Sequence, residues 1–295
     1  MRAKIVAGLA FAAALGAAQP VFAAPDWKAV GQALGKSGTE LPDGVYRVGL
    51  ARSDLKVMVD GIQIKPTFGL GSWLAFQPVD DKDAMVMGDL VLTQDEINPV
   101  MKRLAEAGVD VTGLHNHLLR AEPATMYMHV EGHGDAVKLA EGLHAALLLS
   151  KTPLGSLPAA ASVTLDLDTV AIDGIIGRTG KANGGVYQFT IPRAEKVTDG
   201  GMTVPASMGT GTAINFEPIG GGMAAVTGDF VLTSDEVNPV LQQLTAHAIE
   251  VTALHNHMLA DQPRLFFMHF WAHGDPATLA SSLRAALDKI NLQHS

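Results

Sequence analysis

The chain has 295 residues, 47% hydrophobic and 17% charged, which is enough apolar material for two domain-sized cores and rules out global disorder. Lys and Arg number 21 against 30 Asp and Glu, a formal net charge of −9, which argues against duplex nucleic acid or an anionic membrane face as the main partner. Cysteine is absent, so disulfides, thiolate nucleophiles and Cys-ligated metal centres are excluded, while 11 histidines remain.

Residues 1–23 read as a secretory signal peptide. Arg2 and Lys4 supply charge, Ile5 to Ala18 form an apolar run, and Val21 and Ala23 are the small residues before a cleavage site at Ala24. The run is shorter than the roughly 20 residues a spanning helix needs. No Cys stands at the junction to carry a lipid. The expected product is exported, periplasmic or secreted, with no stable membrane insertion.

The remainder of the chain is one unit written twice, 140 residues apart. Gly88-Asp89 recurs as Gly228-Asp229, and Asp95-Glu96 with Asn98-Pro99-Val100 recurs as Asp235-Glu236 with Asn238-Pro239-Val240. Leu114-His115-Asn116-His117 recurs as Leu254-His255-Asn256-His257, Met128-His129 as Met268-His269, and His133-Gly134-Asp135 as His273-Gly274-Asp275. Between Gly88 and Asp135, 24 of 48 positions are identical to their counterparts without a gap. Val45-Tyr46 matches Val186-Tyr187 after a one-residue slip. The expected organisation is repeat 1 over 24–150, a Pro/Gly/Ser-containing linker over 151–160 and repeat 2 over 161–295, each repeat about 130 residues. A pseudo-twofold pair packed face to face is favoured over two beads on a string.

Within repeat 1, Asp26 can cap a helix ending near Gly35 or Gly38. Val45 to Leu50, Leu55 to Val59, Trp73 to Gln77 and Ala84 to Leu92 read as strands bounded by Gly, Pro and Asp. Thr93 and Glu96 have capping-box spacing, and Asn98-Pro99 offers a second helix start, with the helix running to about Ala107. Val109 to Leu118 and Thr125 to Glu131 are strands, and Asp135 caps a helix through Ser150. The class is α+β: a tandem duplication in which each repeat is a mainly antiparallel sheet with flanking helices.

Eight histidines fall in the two copies of one pattern: His115, His117, His129 and His133, then His255, His257, His269 and His273. Alternate strand residues share a face, so His115 and His117 point together, and a hairpin through Pro123 makes His129 their cross-strand neighbour. Imidazoles converging this way are the donor set of a zinc or other first-row transition-metal site, one per repeat. His133 and His273 stand at strand-to-helix turns, where a role supporting the ligands is the alternative. Burying several imidazoles is costly unless each finds a partner; a hydrogen-bonded network with Asn116 and the Asp residues is the competing reading. Glu96 and Glu236 are candidate catalytic bases beside a metal-bound water, although their capping position explains them without catalysis. Asp89 and Asp229 read equally as turn residues or ligands. Met126 and Met128 alternate away from His129 and belong to a core.

The copies differ at Glu131/Trp271, Tyr127/Phe267 and Glu122/Gln262. These differences make repeat 1 the better equipped for acid–base work. Repeat 2, with Phe266, Phe267, Phe270 and Trp271, reads as a packing or binding surface, so substitution of His115 and of His255 is expected to have unequal effects.

The blocks Gly-Asp-x-Val-Leu-Thr-x-Asp-Glu-x-Asn-Pro-Val, Val-Thr-x-Leu-His-Asn-His and Met-His-x-x-x-His-Gly-Asp resemble the LppY/LpqO family of exported bacterial proteins, over nearly all of the mature chain. That family is a domain of unknown function, so the resemblance implies export and duplication but no activity. Its members are often lipoproteins, and this chain departs by lacking the lipid-bearing Cys. The spacing of His115, His117 and His129 is also similar to the zinc ligands of acetolactate decarboxylase-like folds. Two functions stand open: a zinc-dependent hydrolase or lyase of the cell envelope, or a non-catalytic periplasmic metal- or small-ligand-binding protein.

Overall fold

The computed structural model describes residues 24–155 and 164–293. The segment read as a signal peptide and the second half of the expected linker lie outside these residues.

Repeat 1 begins with α1 (Trp27–Leu34), whose first-turn amides are capped by the Asp26 carboxylate and whose end is a left-handed Gly35. The strands β1 (Thr39–Glu40), β2 (Tyr46–Ala51), β3 (Val57–Val59) and β4 (Ile62–Ile64) come next, then a one-turn α2 (Pro66–Gly69). The longer strands are β5 (Gly71–Pro78) and β6 (Asp83–Thr93). After α3 (Gln94–Glu106) come β7 (Asp110–His115), β8 (Thr125–Asp135) and α4 (Ala136–Leu147). The expected elements are found with shifted ends. The Thr93–Glu96 capping box forms, and α3 runs through Pro99 without using the second start.

Repeat 2 rebuilds the same plan with α5 (Thr169–Ile176), β9 (Lys181–Asn183), β10 (Val186–Pro192), β11 (Thr198–Asp199), β12 (Met202–Thr203), β13 (Gly211–Gly220) and β14 (Met223–Thr233). It closes with α6 (Ser234–Ala246), β15 (Glu250–His255), β16 (Leu265–Gly274) and α7 (Pro276–Leu287). Each repeat carries a six-stranded antiparallel sheet, ordered β1-β2-β5-β6-β8-β7 and β15-β16-β14-β13-β10-β9. The class is therefore α+β, in two tandem domains with flanking helices.

Each large sheet is covered on both faces, so its central strands carry apolar side chains on both, interrupted by Asp89 on β6 and by His129 and Glu131 on β8. Along β6, Ala84, Val86, Leu90 and Leu92 pack with Leu139 and Leu143 of α4 in the first core. Their neighbours Met85 and Met87 face the other way, into a cluster with Val231, Met258 and Phe267 of repeat 2. A matching cluster joins Phe68, Val91 and Tyr127 to Val186, Ala225 and Trp271. The layers are thus helix, sheet, sheet, helix. The contacts between repeats are reciprocal: Thr112 Oγ1 donates to His257 O and Thr252 Oγ1 to His117 O, both at 2.5 Å. Among the described residues no helix is long and apolar enough to cross a membrane.

An ion pair ties the helical layer to each sheet. Arg52 is fully buried; its guanidinium reaches Glu96 at 2.8 Å, Asp54 at 2.8 Å and the Val91 carbonyl at 2.6 Å. Arg193 repeats this with Glu236 at 2.6 Å, Glu195 at 3.0 Å and the Val231 carbonyl. Removing one partner of a buried pair leaves an uncompensated charge, whereas replacing both with apolar groups is often neutral. Arg52→Ala is expected to cost about 3–5 kcal/mol. The Arg52→Met/Glu96→Gln double variant, which removes both charges and keeps an acceptor oxygen for the helix cap, should recover part of that loss, as read from urea unfolding midpoints.

Candidate metal centre between the two repeats

Three local features aim side chains at the space between the sheets. The first is a bulge. In β7 the register shifts between Val111 and Gly113, and in β15 between Val251 and Ala253. The skipped residues, Thr112 and Thr252, make the reciprocal bonds to the opposite repeat, and the extra residue re-aims the strand beyond it. The second is strand pairing. His115 lies opposite Tyr127, and Gly113 opposite His129, which puts His115 and His129 on one face with ring centroids 4.8 Å apart. The third is a glycine. A Cβ at Gly88 would sit 2.6 Å from Trp73 O, and one at Gly228 would sit 1.9 Å from Ala213 O. Only glycine lets β5 and β6, and β13 and β14, approach so closely just before Asp89 and Asp229.

The two histidine sets do not form two separate sites. They meet. His115 stacks on His255 with centroids 3.5 Å apart, while His117 and His269, at 3.7 Å, and His129 and His257, at 3.8 Å, meet with rings tilted by 30° and 33°. Ligand-capable atoms lie within 4.8 Å of one another in His115/His129/His255, His115/His117/His269, His255/His257/His269 and Asp89/His117/His129. Asp89 Oδ2 is 3.5 Å from His117 Nε2, and Asp229 Oδ2 is 3.5 Å from His257 Nε2. One shared centre of six imidazoles and two carboxylates replaces the expected pair of quartets. The expectation that His115 and His255 contribute unequally through separate sites therefore loses its basis.

Four expected site residues lie elsewhere. His133 has a side chain 46% exposed and pairs with Glu131 Oε1 at 3.1 Å, and His273 is exposed. They stand four residues beyond His129 and His269 respectively, roughly 13 Å along the strand. Glu96 and Glu236 are consumed by structure. Glu96 accepts from the Thr93 and Lys151 amides and from Arg52, and Glu236 from the Thr233 and Asn291 amides and from Arg193. Those bonds hold both carboxylates below the usual range, against the opposing effect of burial. They are capping residues, and the reading of Glu96 and Glu236 as bases gives way. Asp89 and Asp229, left open between turn and ligand, are the carboxylates in the centre.

The electrostatics follow from burial. Desolvation drives His115, His117, His129 and His257 well below their ordinary pKa; His255 falls to about 4 and His269 to about 3. All six are neutral at pH 7, the state in which imidazole donates to a metal. Burial also raises Asp89 to about 8, against the pull of Arg47, and raises Asp229, which additionally feels the Asp89 charge. The Nε2 atoms of all six rings and Oδ1 of both Asp residues are buried with no hydrogen-bond partner. Beside them a cavity of about 900 Å3 opens between the sheets, reached by Asp89, His117, Asp229, His257 and His269.

Residues 28–148 and 170–289 each match the family described as Domain of Unknown Function (DUF1259). The chain belongs to that family. In this tandem DUF1259 protein both copies supply the centre equally, with three imidazoles and one carboxylate each. No curated protein matches the sequence. Among solved structures, a trimeric bacterial microcompartment shell protein, PduB, is similar at 9% identity over 85% of this chain and 89% of that one. Its TM-score of 0.21 is too low to carry a shared fold.

The shifts fix how the metal-free protein responds to pH. Between about pH 4 and 6.5 the unfolded chain protonates histidines that the folded chain keeps neutral, so six groups make stability rise with pH. The two Asp residues act oppositely, since the folded state holds their protons up to about pH 8 for Asp89. Histidines outnumber carboxylates, so the melting temperature of chelator-treated protein should climb from pH 4.5 to about 6.5 and decline toward pH 8. A flat profile in differential scanning calorimetry would remove the buried neutral imidazoles from the account.

Proposed function

We propose that this chain is an exported metalloprotein that binds a first-row transition metal, zinc foremost, in the shared imidazole centre. We further propose that it acts as a zinc-dependent hydrolase or lyase of the cell envelope on a small molecule entering the cavity. One observation carries the metal reading: six buried Nε2 atoms and two buried carboxylate oxygens have no protein partner, and all six rings fall in overlapping trios whose ligand-capable atoms lie within 4.8 Å of one another. Native interiors satisfy nearly all such atoms, and each one left bare costs about 1–3 kcal/mol. A cation seated in any one of the overlapping trios would accept lone pairs from its three members and leave room for a further ligand. It also reverses the electrostatic argument at Asp89 and Asp229, which ionise readily beside a positive charge.

The donor set of imidazole nitrogen and carboxylate oxygen fits zinc, and the absence of thiolate does not disfavour it. When bound, zinc lowers the pKa of a coordinated water toward 7 and polarises carbonyl oxygens. The chain's own residues do the rest. His115 and His255, stacked at the junction, and the flanking rings hold donors in the neutral form. Tyr127 and Phe267 lie flat on His117 and His257, at 3.4 Å in each case, and fix their ring planes. Asp89 and Asp229 line the cavity, placed to take a proton from a bound molecule.

The cavity favours chemistry on a ligand over simple metal storage, because a storage site has no need of an adjoining volume of that size. The structural role of Glu96 and Glu236 favours the second reading, a non-catalytic periplasmic metal- or small-ligand-binding protein, since it removes two bases from the count. Export rests on the N-terminal sequence and on the likeness to LppY/LpqO proteins.

Elemental analysis of protein purified without an affinity tag is expected to find at least one zinc or similar ion per chain. His115→Ala and His255→Ala should each lose most of it, and by similar amounts, because the two rings share the centre. Chelation should lower the melting temperature and zinc should restore it. A wild-type protein that neither retains nor takes up zinc, manganese, iron, cobalt, nickel or copper would sink the proposal.

A further inference from the structure

The metal-donor positions are the same in both repeats, but the walls of the cavity are not. Strand register makes the equivalences unambiguous: Tyr46 pairs with Phe76 as Tyr187 pairs with Phe216. Arg47 therefore corresponds to Gln188, and Trp73 to Ala213. Repeat 1 brings a cation and a broad aromatic ring, and repeat 2 brings amides and a small residue. A ligand seated between the sheets thus meets two chemically different ends.

Arg47 is placed as a receptor. Its guanidinium carbon lies 4.1 Å above the Trp73 ring, an arrangement that holds the planar fork in one orientation. One nitrogen, Nη1, donates to the Ser207 carbonyl of the opposite repeat. Nε and Nη2 make no hydrogen bond among the described residues, and Arg47 and Trp73 both line the cavity. Trp73 pairs across the sheet with Asp89, so the aromatic platform adjoins the metal centre directly. On the far wall, Gln188 is oriented by its own bonds. It donates to Thr67 O at 2.9 Å and to Asn215 Oδ1 at 3.0 Å, and receives one from Asn183 at 2.9 Å.

We propose that this cavity is a carboxylate-binding site: the Arg47 guanidinium, laid on Trp73, takes the carboxylate of a small organic acid, and the Gln188–Asn215 wall takes its polar other end. A planar fork with two free N–H groups matches a carboxylate bidentately. Asp43 also acts on the guanidinium electrostatically. It offsets part of the Arg47 charge and opposes a dianion such as phosphate, so a single negative charge is the better match. Delivery of the bound molecule to the imidazole centre rests on the metal reading above; recognition by Arg47 does not.

The test uses isothermal titration of the full-length mature protein with succinamate, a monocarboxylate carrying a terminal amide. Neutral succinamide and inorganic phosphate serve as comparisons. Succinamate is expected to bind both zinc-loaded and chelator-treated protein, with phosphate and succinamide at least tenfold weaker. Arg47→Gln, which copies the residue at 188, should lose binding at least tenfold while keeping the wild-type melting temperature. Trp73→Ala, which copies the residue at 213, should weaken binding by about threefold. Should Arg47→Gln fail to fold, Trp73→Ala and the two comparison ligands still decide the outcome. Equal binding by wild type and Arg47→Gln, equal binding of succinamide or phosphate, or no binding of succinamate overturns the proposal. Arg47-dependent binding in a protein that takes up no metal would refute the metal reading alone.

Discussion

Six imidazoles and two carboxylates gathered between two sheets, with nitrogen and oxygen atoms buried and unpartnered, are the constraint around which this protein is built. Without a cation the arrangement is expensive: rings are stripped of water, the carboxyls are pushed to hold protons, and no protein donor compensates. The surrounding structure over-determines it nonetheless. Bulges in β7 and β15 re-aim the edge strands, Gly88 and Gly228 permit the close approach beside Asp89 and Asp229, and the skipped threonines clamp each hairpin to the opposite repeat.

Neither repeat completes the centre. Each offers three imidazoles and one carboxylate on a sheet face whose other side is sealed by helices. Pairing the faces buries the two apolar clusters that flank the histidines, and it is this burial, not the histidines, that holds the repeats together. The division of labour is clean: aliphatic and aromatic side chains supply cohesion, and the polar residues between them remain available for chemistry. Where the copies diverge, cohesion and polarity trade places. Trp271 packs against Phe68 with centroids 6.2 Å apart and donates to Asp60 at 3.0 Å. Its counterpart Glu131 is buried beside His133, and desolvation together with a hydrogen bond to Asp199 raises it to about 8.

Environment also separates the acidic residues. Glu96 and Glu236 receive two backbone amides and a guanidinium each, which stabilise the charged form and leave nothing to offer a substrate. Asp89 and Asp229 receive no such bonds and sit at a cavity wall. The same chemical group is a structural anchor at a helix start and a candidate ligand on a strand, and only the partners differ.

The repeat, the α+β class, the capping box and the convergence of His115, His117 and His129 were legible in the sequence. Each depends on spacing along the chain: a fixed offset, a period of two, a cap three residues from its partner. His133 and His273 were misplaced because strand alternation keeps them on the right face but says nothing about distance along it. Arg52 and Arg193 went unread because they meet Glu96 and Glu236 only across more than 40 residues of chain. Tertiary structure alone decided that the two histidine sets form one centre, that Asp89 and Asp229 join it, and that Arg47 and Trp73 face Gln188 across a cavity. Periodicity specifies which face a residue occupies. Which other face it meets is set by how two surfaces bury their apolar area, and that information is not local to any stretch of the chain.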